Sequence, residues 1–289
     1  MVIAERVTFA VVGDYGVPTA GARAVAELVA SWAPDFVVTV GDNNYPSGSS
    51  TTIDRAIGAH YWRFIAPYLG GYGPGADQPR FFPTLGNHDW DTQGARPYLD
   101  YFTLPGNERY YTVRWGPVQI FALDSDPREP DGVTASSRQA TWFRDALAAS
   151  PTCWKIVAFH HPPYSSGPHR GSDWMRWPFL TWGASIVLSG HDHTYERIER
   201  DGLPYIVNGL GGAPRYTFTT IEPGSVVRFN ADFGALRVTA TATETSYEFI
   251  SVGGLLVDSF RLTGGCAAPL ADDDFLPLVP AFSESGGGV

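Results

Sequence analysis

Lysine is almost missing from this chain: of its 20 basic residues only Lys155 is one. Schiff-base chemistry, which needs a lysine amine of lowered pKa, has almost no place here. The other 19 basic residues are arginines, a bias better attributed to the genome than to a task. Acidic residues outnumber basic ones by 30 to 20, the formal charge is −10, and no Lys/Arg run occurs. A nucleic-acid or anionic-membrane partner, which requires clustered positive charge, is therefore excluded from the expectations. No run reaches the roughly 18 apolar residues of a membrane helix, and residues 1–13 lack the basic and apolar regions of a secretory signal. The chain reads as soluble, with its compartment left open because a signal could have been removed beforehand. Cys153 and Cys266, the only cysteines, are too few for a disulfide scaffold and lack metal-type spacing. They read as buried free thiols, a single bridge tying the tail to the domain being the alternative.

Apolar residues are plentiful, at 44% of 289 positions, enough for one large core. β-Branched apolar runs at 7–12, 36–40, 118–123, 156–159 and 185–188 predict buried strands. Residues 20–31 and 136–148, rich in Ala and Leu at helical spacing and the second opening on serine, predict crossover helices. This alternation implies an α/β sheet with parallel cores. Residues 109–115 and 118–123 around Gly116-Pro117 predict a hairpin, and 236–243, 246–252 and 255–262 an antiparallel end. Two packed mixed sheets flanked by helices accommodate both, giving a four-layer α/β/β/α class over 1–265. Residues 266–289, with three consecutive aspartates and a glycine-rich end, read as an extension or disordered tail. Three Gly- and Pro-rich loops, 46–52, 70–79 and 162–171, are long enough to carry function.

Chemistry concentrates in five blocks: Gly13-Asp14-Tyr15-Gly16, Gly41-Asp42-Asn43-Asn44-Tyr45, Gly86-Asn87-His88-Asp89, Val157-Ala158-Phe159-His160-His161 and Gly190-His191-Asp192-His193. Each offers a carboxylate, phenol, amide or imidazole just after a predicted strand, where the loops of an α/β sheet converge. A lone Gly-Asp or Gly-Asn-His-Asp is no more than a turn. Five in succession at strand ends are the ligand types of a two-metal site, in which one carboxylate can span two ions about 3.5–4 Å apart. His191 and His193, two apart in what reads as an extended segment, are expected to point the same way.

These blocks, with Tyr195-Glu196-Arg197 and Asn208-Gly209 between about residues 7 and 212, resemble those of the purple acid phosphatases. The likeness is to the small tartrate-resistant type within the calcineurin-like metallophosphoesterase superfamily. The resemblance implies a metallophosphoesterase sandwich and a binuclear centre: one metal on Asp14, Asp42, Tyr45 and His193, the other on Asp42, Asn87, His160 and His191. Tyr45 separates this type from other branches, because a phenol of pKa near 10 becomes a ligand at neutral pH only beside a highly charged cation. The implied pair is Fe(III) with divalent iron, zinc or manganese. Two carboxylates and a phenolate leave such a cluster net positive even with a bridging hydroxide, so a phosphate ester is attracted. The implied activity is hydrolysis of small phosphate monoesters by a metal-bound hydroxide attacking in line, without a covalent enzyme intermediate.

An alkoxide leaving group needs a proton donor beyond the ligand set. His88, which Asp89 could orient or charge, and His169 on the loop 162–171 are the candidate catalytic residues, again in keeping with the resemblance. Of the adjacent His160 and His161, which an extended backbone would send to opposite faces, the register of the block favours His160 as ligand. His60, in a helical stretch 53–65, reads as structural. Asp91, Asp124 and Asp192 read as solvated or supporting carboxylates rather than ligands. Trp90, Tyr164, Trp174 and Trp177 are candidates to wall the site or to pack, and Arg170 to meet phosphate oxygens. A phosphodiesterase or nucleotidase on the same scaffold would carry the same ligands. A non-hydrolytic metal-binding or redox protein would be betrayed by a lost ligand or a lost His88, and neither is lost. Natural substrate and oligomeric state are not legible.

Overall fold

A computed structural model describes residues 6–264. The alternation of each strand decides its layers. In β1 (Val7–Val12), Phe9 and Val11 face one core while Ala10 and Val12 face another. β2 (Phe36–Thr39) divides the same way, Phe36 and Val38 inward against Val37 outward. In the second sheet Val118 and Ile120 of β5 (Val118–Ala122) and Ile156 and Ala158 of β6 (Trp154–Ala158) share the inner core with β1 and β2. Phe121 and Val157 point out, toward Phe143 and Leu147 of the helix Arg138–Ala149. Val25 and Val29 of the helix Ala20–Ser31 cover the outer face of the first sheet. Apolar residues on both faces of these strands thus require two sheets stacked face to face with helices on either side, the expected four-layer sandwich.

Both sheets are mixed. The remaining strands are β3 (Phe81–Phe82), β4 (Tyr111–Trp115), β7 (Ile186–Ser189), β8 (Tyr195–Arg200), β9 (Leu203–Asn208), β10 (Ser225–Phe229), β11 (Gly234–Ala240), β12 (Glu244–Ser251) and β13 (Leu256–Thr263). The first sheet runs β13-β12-β11-β1-β2-β3 and the second β10-β8-β9-β7-β6-β5-β4. β1, β2 and β3 are mutually parallel, as are β5, β6, β7 and β9. The loops leaving the C-terminal ends of β1–β3 and of β6 and β7 carry the five blocks. Two open sheets stacked with those ends on one side place ligands from both in one crevice.

The helix at Ala20–Ser31 starts where Thr19 accepts the amide hydrogen of Ala22, and Ser137 caps Arg138–Ala149 through Ala140. The stretch expected as one helix at 53–65 instead passes through π, α and 3-10 turns, Asp54–Gly58, Ala59–Tyr61 and Trp62–Phe64. Sequence reasoning missed the β8–β9 hairpin. Its signal was the Asp201-Gly202 pair between apolar runs, and both residues take the positive φ (54° and 85°) that a tight hairpin turn needs. Cys153 is disulfide-bonded, which overturns the free-thiol reading for it. Cys266, with the rest of the extension assigned to 266–289, lies outside the described residues. No helix among the described residues is long and apolar enough to cross a membrane.

Candidate metal centre

Three of the expected ligands, Asp14, Asp42 and His191, have left-handed backbones (φ 55°, 53° and 69°), each directly after a glycine. Non-glycine residues seldom adopt this conformation, and it persists where surrounding contacts over-determine it. The glycines are set by crowding. A Cβ on Gly41, itself at φ 89°, would lie 2.4 Å from Nδ1 of His160, and one on Gly86 would lie 2.3 Å from Oδ1 of Asp42. Side chains of one block thus pack on the bare glycine of another.

The donors form two clusters joined by one carboxylate. In the first, the Tyr45 hydroxyl lies 2.8 Å from Asp42 Oδ2, 3.3 Å from Asp14 Oδ1 and 3.1 Å from His193 Nε2. His193 Nε2 is also 3.4 Å from Asp14 Oδ1. In the second, His160 Nε2 lies 3.1 Å from Asn87 Oδ1, 3.1 Å from His191 Nδ1 and 3.5 Å from the other oxygen of Asp42, Oδ1. The structure therefore brings together all seven residues expected as ligands, with the two oxygens of Asp42 facing different clusters. Asp14, Asp42, His160 and His193 are buried, and Tyr45 is half-buried.

The supporting contacts aim the imidazoles. His160 donates Nδ1–H to the Val40 carbonyl (2.9 Å) and His193 donates Nδ1–H to the Pro214 carbonyl (2.7 Å), so each turns Nε2 toward its cluster. His191 presents Nδ1 instead. His191 and His193 do not point the same way, as an extended segment would require: the left-handed backbone at His191 sends them to separate clusters. Burial works to lower the pKa of His160 and His193, but Asp42 and Asp14 outweigh it and hold both above the usual histidine value. Burial, reinforced by the neighbouring imidazoles, drives His191 far below it. The Tyr45 phenol is pushed far up, first by burial and then by Asp14 and Asp42.

This donor set fits cations. Two buried carboxylates, a phenol, an amide and three imidazoles converge with no lysine or arginine among them, an arrangement that burial makes costly unless positive charge is supplied. A proton on His160 or His193 supplies part of it, whereas a cation in each cluster would supply it to every donor together.

His160 and His161 do not diverge to opposite faces. The chain bends after β6, and both rings lie against His191, at centroid separations of 4.9 and 4.5 Å. Their environments differ. Ser125 Oγ accepts the His161 amide hydrogen at 2.8 Å, leaving its own hydrogen free to donate to His161 Nδ1 at 3.0 Å. With the hydroxyl as donor, the ring's hydrogen sits on Nε2, which suits an oxyanion rather than a cation. Burial, then His160, lowers the His161 pKa well below the usual value and keeps the ring neutral. A nitrogen of His161 nonetheless lies within 4.8 Å of nitrogens of His160 and His191, so metal content must separate the two. His160→Ala is expected to lose the second ion while His161→Ala retains both and changes mainly kcat. Metal analysis of the two variants checks this, and the opposite result would move the register by one residue.

The two candidate proton donors stand at the rim. His88 donates Nδ1–H to the Pro46 carbonyl (2.6 Å) and leaves Nε2 3.9 Å from Asp42 Oδ2. Asp89 does not orient it. That carboxylate is turned away, accepting from both nitrogens of Asn43 and from Gly86 N, and burial pushes its pKa up to about 7. His169 is held instead by Asp192, whose Oδ1 accepts from its amide (3.1 Å) and faces its Nδ1 at 3.0 Å. Asp192 is fully buried and also accepts from Ser165. Of the two roles read for it, solvated or supporting, it takes the second, and its place between two histidines was the signal. Asp91 pairs with Arg128, and Asp124 accepts from Trp90 Nε1. Trp90 and Trp177 belong to the core; Trp174 stays at the surface beside His161, and Tyr164 meets Tyr205 edge to face. Arg170 is exposed at φ 64°. His60 is half-buried beside Tyr61 and has no contact with the clusters. Tyr216, missed altogether, stacks on His193 at 4.0 Å and donates its amide hydrogen to the His193 carbonyl.

Residues 7–195 match the calcineurin-like phosphoesterase family, well over half of the chain. The chain therefore belongs to that family, and it is a hydrolase of phosphoric esters acting through a metal centre. Its relatives include tartrate-resistant acid phosphatase type 5 of Mus musculus, 26% identical over 77% of this chain and 78% of the relative, and that of Sus scrofa, 25% identical over 85% and 84%. Purple acid phosphatase 15 of Arabidopsis thaliana is 27% identical over 70% of this chain and 44% of its own length. Among solved structures, the yellow lupin purple acid phosphatase PPD1 superposes with a TM-score of 0.75 at 18% identity, covering 90% of this chain and 54% of that one. GAP50, described as the anchor in the inner membrane complex of Plasmodium, gives 0.69 at 18%, covering 89% of each chain. At that identity the likeness is one of fold.

Proposed function

We propose that this chain hydrolyses small phosphate monoesters at a pair of metal ions shared by Asp42, in the manner its acid phosphatase relatives suggest by name. The observation that carries the reading is the divided carboxylate of Asp42, one oxygen among Asp14, Tyr45 and His193 and the other beside Asn87, His160 and His191. Asp14, Asp42, Tyr45 and His193 would hold one ion; Asp42, Asn87, His160 and His191 would hold the other. When bound, such a pair polarises the phosphoryl oxygens and supplies hydroxide at neutral pH. The phenol of Tyr45, held between two carboxylates, gives up its proton to solvent only when a strongly charged cation takes the proton's place on the oxygen, which favours Fe(III) in the first cluster and a divalent ion (Fe, Zn or Mn) in the second.

The protein's own groups then serve the ester. His161 Nε2–H offers a donor to a phosphoryl oxygen. His88 and His169, each tethered through Nδ1, turn Nε2 toward the mouth, where either can deliver a proton to the leaving oxygen. Protein loaded with iron and zinc should release phosphate from p-nitrophenyl phosphate with a higher kcat/KM than it cleaves bis(p-nitrophenyl) phosphate. The reverse ranking would make it a diesterase. Oxidised protein should absorb in the visible through the Tyr45–Fe(III) contact, and Tyr45→Phe should bleach it; a colourless, iron-free and fully active protein would contradict the iron assignment.

Metal removal also has a stability signature. A ligand present at 100 times its Kd stabilises the folded state by about 2.7 kcal/mol, and 1 kcal/mol moves Tm by roughly 2–4 °C for a domain of this order. Chelation is therefore expected to lower Tm by about 5–10 °C, measured by calorimetry, with recovery on re-addition of metal.

A further inference from the structure

The rim of the metal centre carries a large, exposed and rigidly held aromatic side chain. Trp174 lies in the short 3-10 turn Asp173–Met175 and retains 37% of its surface exposure. Its indole N–H donates to the Ser125 carbonyl at 2.9 Å, so the ring is fixed rather than loose. The hydroxyl of the same Ser125 holds His161, whose ring is 5.9 Å from that of Trp174. From there a row of rings crosses the mouth: His161 to His191 at 4.5 Å, His191 to His169 at 4.3 Å and His169 to Tyr216 at 5.4 Å. Trp174 therefore closes one end of the row and Tyr216 the other. Tyr216 is committed to His193, on which it stacks, so Trp174 is the aromatic surface free to meet a ligand. An immobilised, solvent-facing indole next to a site that binds a phosphoryl group has one evident use, since stacking of a ring on it needs no further ordering of the protein.

We propose that Trp174 is a specificity-determining residue that stacks on the leaving group, and that the preferred substrates are phosphate monoesters whose leaving group carries an aromatic ring. The inference rests on the monoester reading above. No chemical step is added: the phosphoryl group stays over the two clusters, and the ring of the leaving alcohol lies on the indole outside them.

Benzyl and ethyl phosphate test this well, because the two parent alcohols are similarly poor leaving groups and differ chiefly in the ring. For the metal-loaded full chain, the benzyl-to-ethyl ratio of kcat/KM should exceed 1 and should fall about 3–10-fold in Trp174→Ala, mainly through KM for benzyl phosphate, in line with the usual strength of a ring–ring contact. Trp174→Phe should restore most of the ratio, which a general loosening of the fold would not allow. Independently of turnover, benzylphosphonate should change the tryptophan fluorescence of the wild type, and that change should be largely lost in Trp174→Phe. A ratio unmoved in Trp174→Ala, or a fluorescence response retained in Trp174→Phe, overturns the proposal. Turnover of neither monoester by a metal-replete protein that cleaves a diester would instead overturn the monoester reading, a result distinct from equal turnover of both.

Discussion

Asp42→Asn is expected to empty or scramble both clusters and to lower kcat/KM by roughly 10³-fold or more. Two ions supply several kcal/mol of transition-state charge stabilisation, and each 1.36 kcal/mol is a factor of ten in rate. The amide is uncharged and offers one oxygen where the carboxylate offers two, whereas the native Oδ1 and Oδ2 face separate donor sets at 3.5 and 2.8 Å. Asn87→Ala, by contrast, removes a donor from the second cluster alone, so it should cost less metal and leave the first ion in place. Elemental analysis of the two variants decides the order. Equal, stoichiometric loading in both would mean that Asp42 does not bridge.

The second large effect concerns the leaving group. His88→Ala and His169→Ala should retain metal yet slow hydrolysis of an alkyl phosphate by about 10²–10⁴-fold, the usual contribution of a positioned general acid. Neither ring supplies a donor to the two clusters, and each is tethered by its other nitrogen, His88 to the Pro46 carbonyl and His169 to Asp192. p-Nitrophenyl phosphate, whose leaving group scarcely needs a proton, should slow far less. Equal loss on both substrates would mean that the histidines position the phosphate or hold the rim, and the proton-donor role would be wrong.

The expected ligands were legible because four of the five blocks pair a metal-binding side chain with a glycine, and because the order of blocks matches a recognisable family. Other features were hidden for identifiable reasons. The divergence of His191 and His193, and the convergence of His160 and His161, both follow from backbone bends that a period-two reading of an extended chain cannot represent. Asp192 was legible only as a solvated or supporting carboxylate, because its partner His169 lies 23 residues away along the chain. Tyr216 lies beyond the matched stretch of 7–195, and its contact with His193 joins loops that share no sequence signal.

By itself the sequence determined the chemistry available: one lysine, no basic run, apolar strands buried on both faces, and carboxylate, phenol, amide and imidazole groups waiting at strand ends. It determined the four layers as well, since a strand apolar on both faces must be covered on both. Only the tertiary structure decided which donors lie together. Asp14, Asp42 and Asn87 follow strands of one sheet, His160, His191 and His193 follow strands of the other, and only the stacking of the two sheets brings the C-terminal ends together. Which nitrogen each histidine turns inward was likewise set from outside its own block, by the Val40, Pro214 and Pro46 carbonyls and by Asp192. A donor's identity is written in the chain, but its direction depends on hydrogen bonds to segments that only folding makes its neighbours.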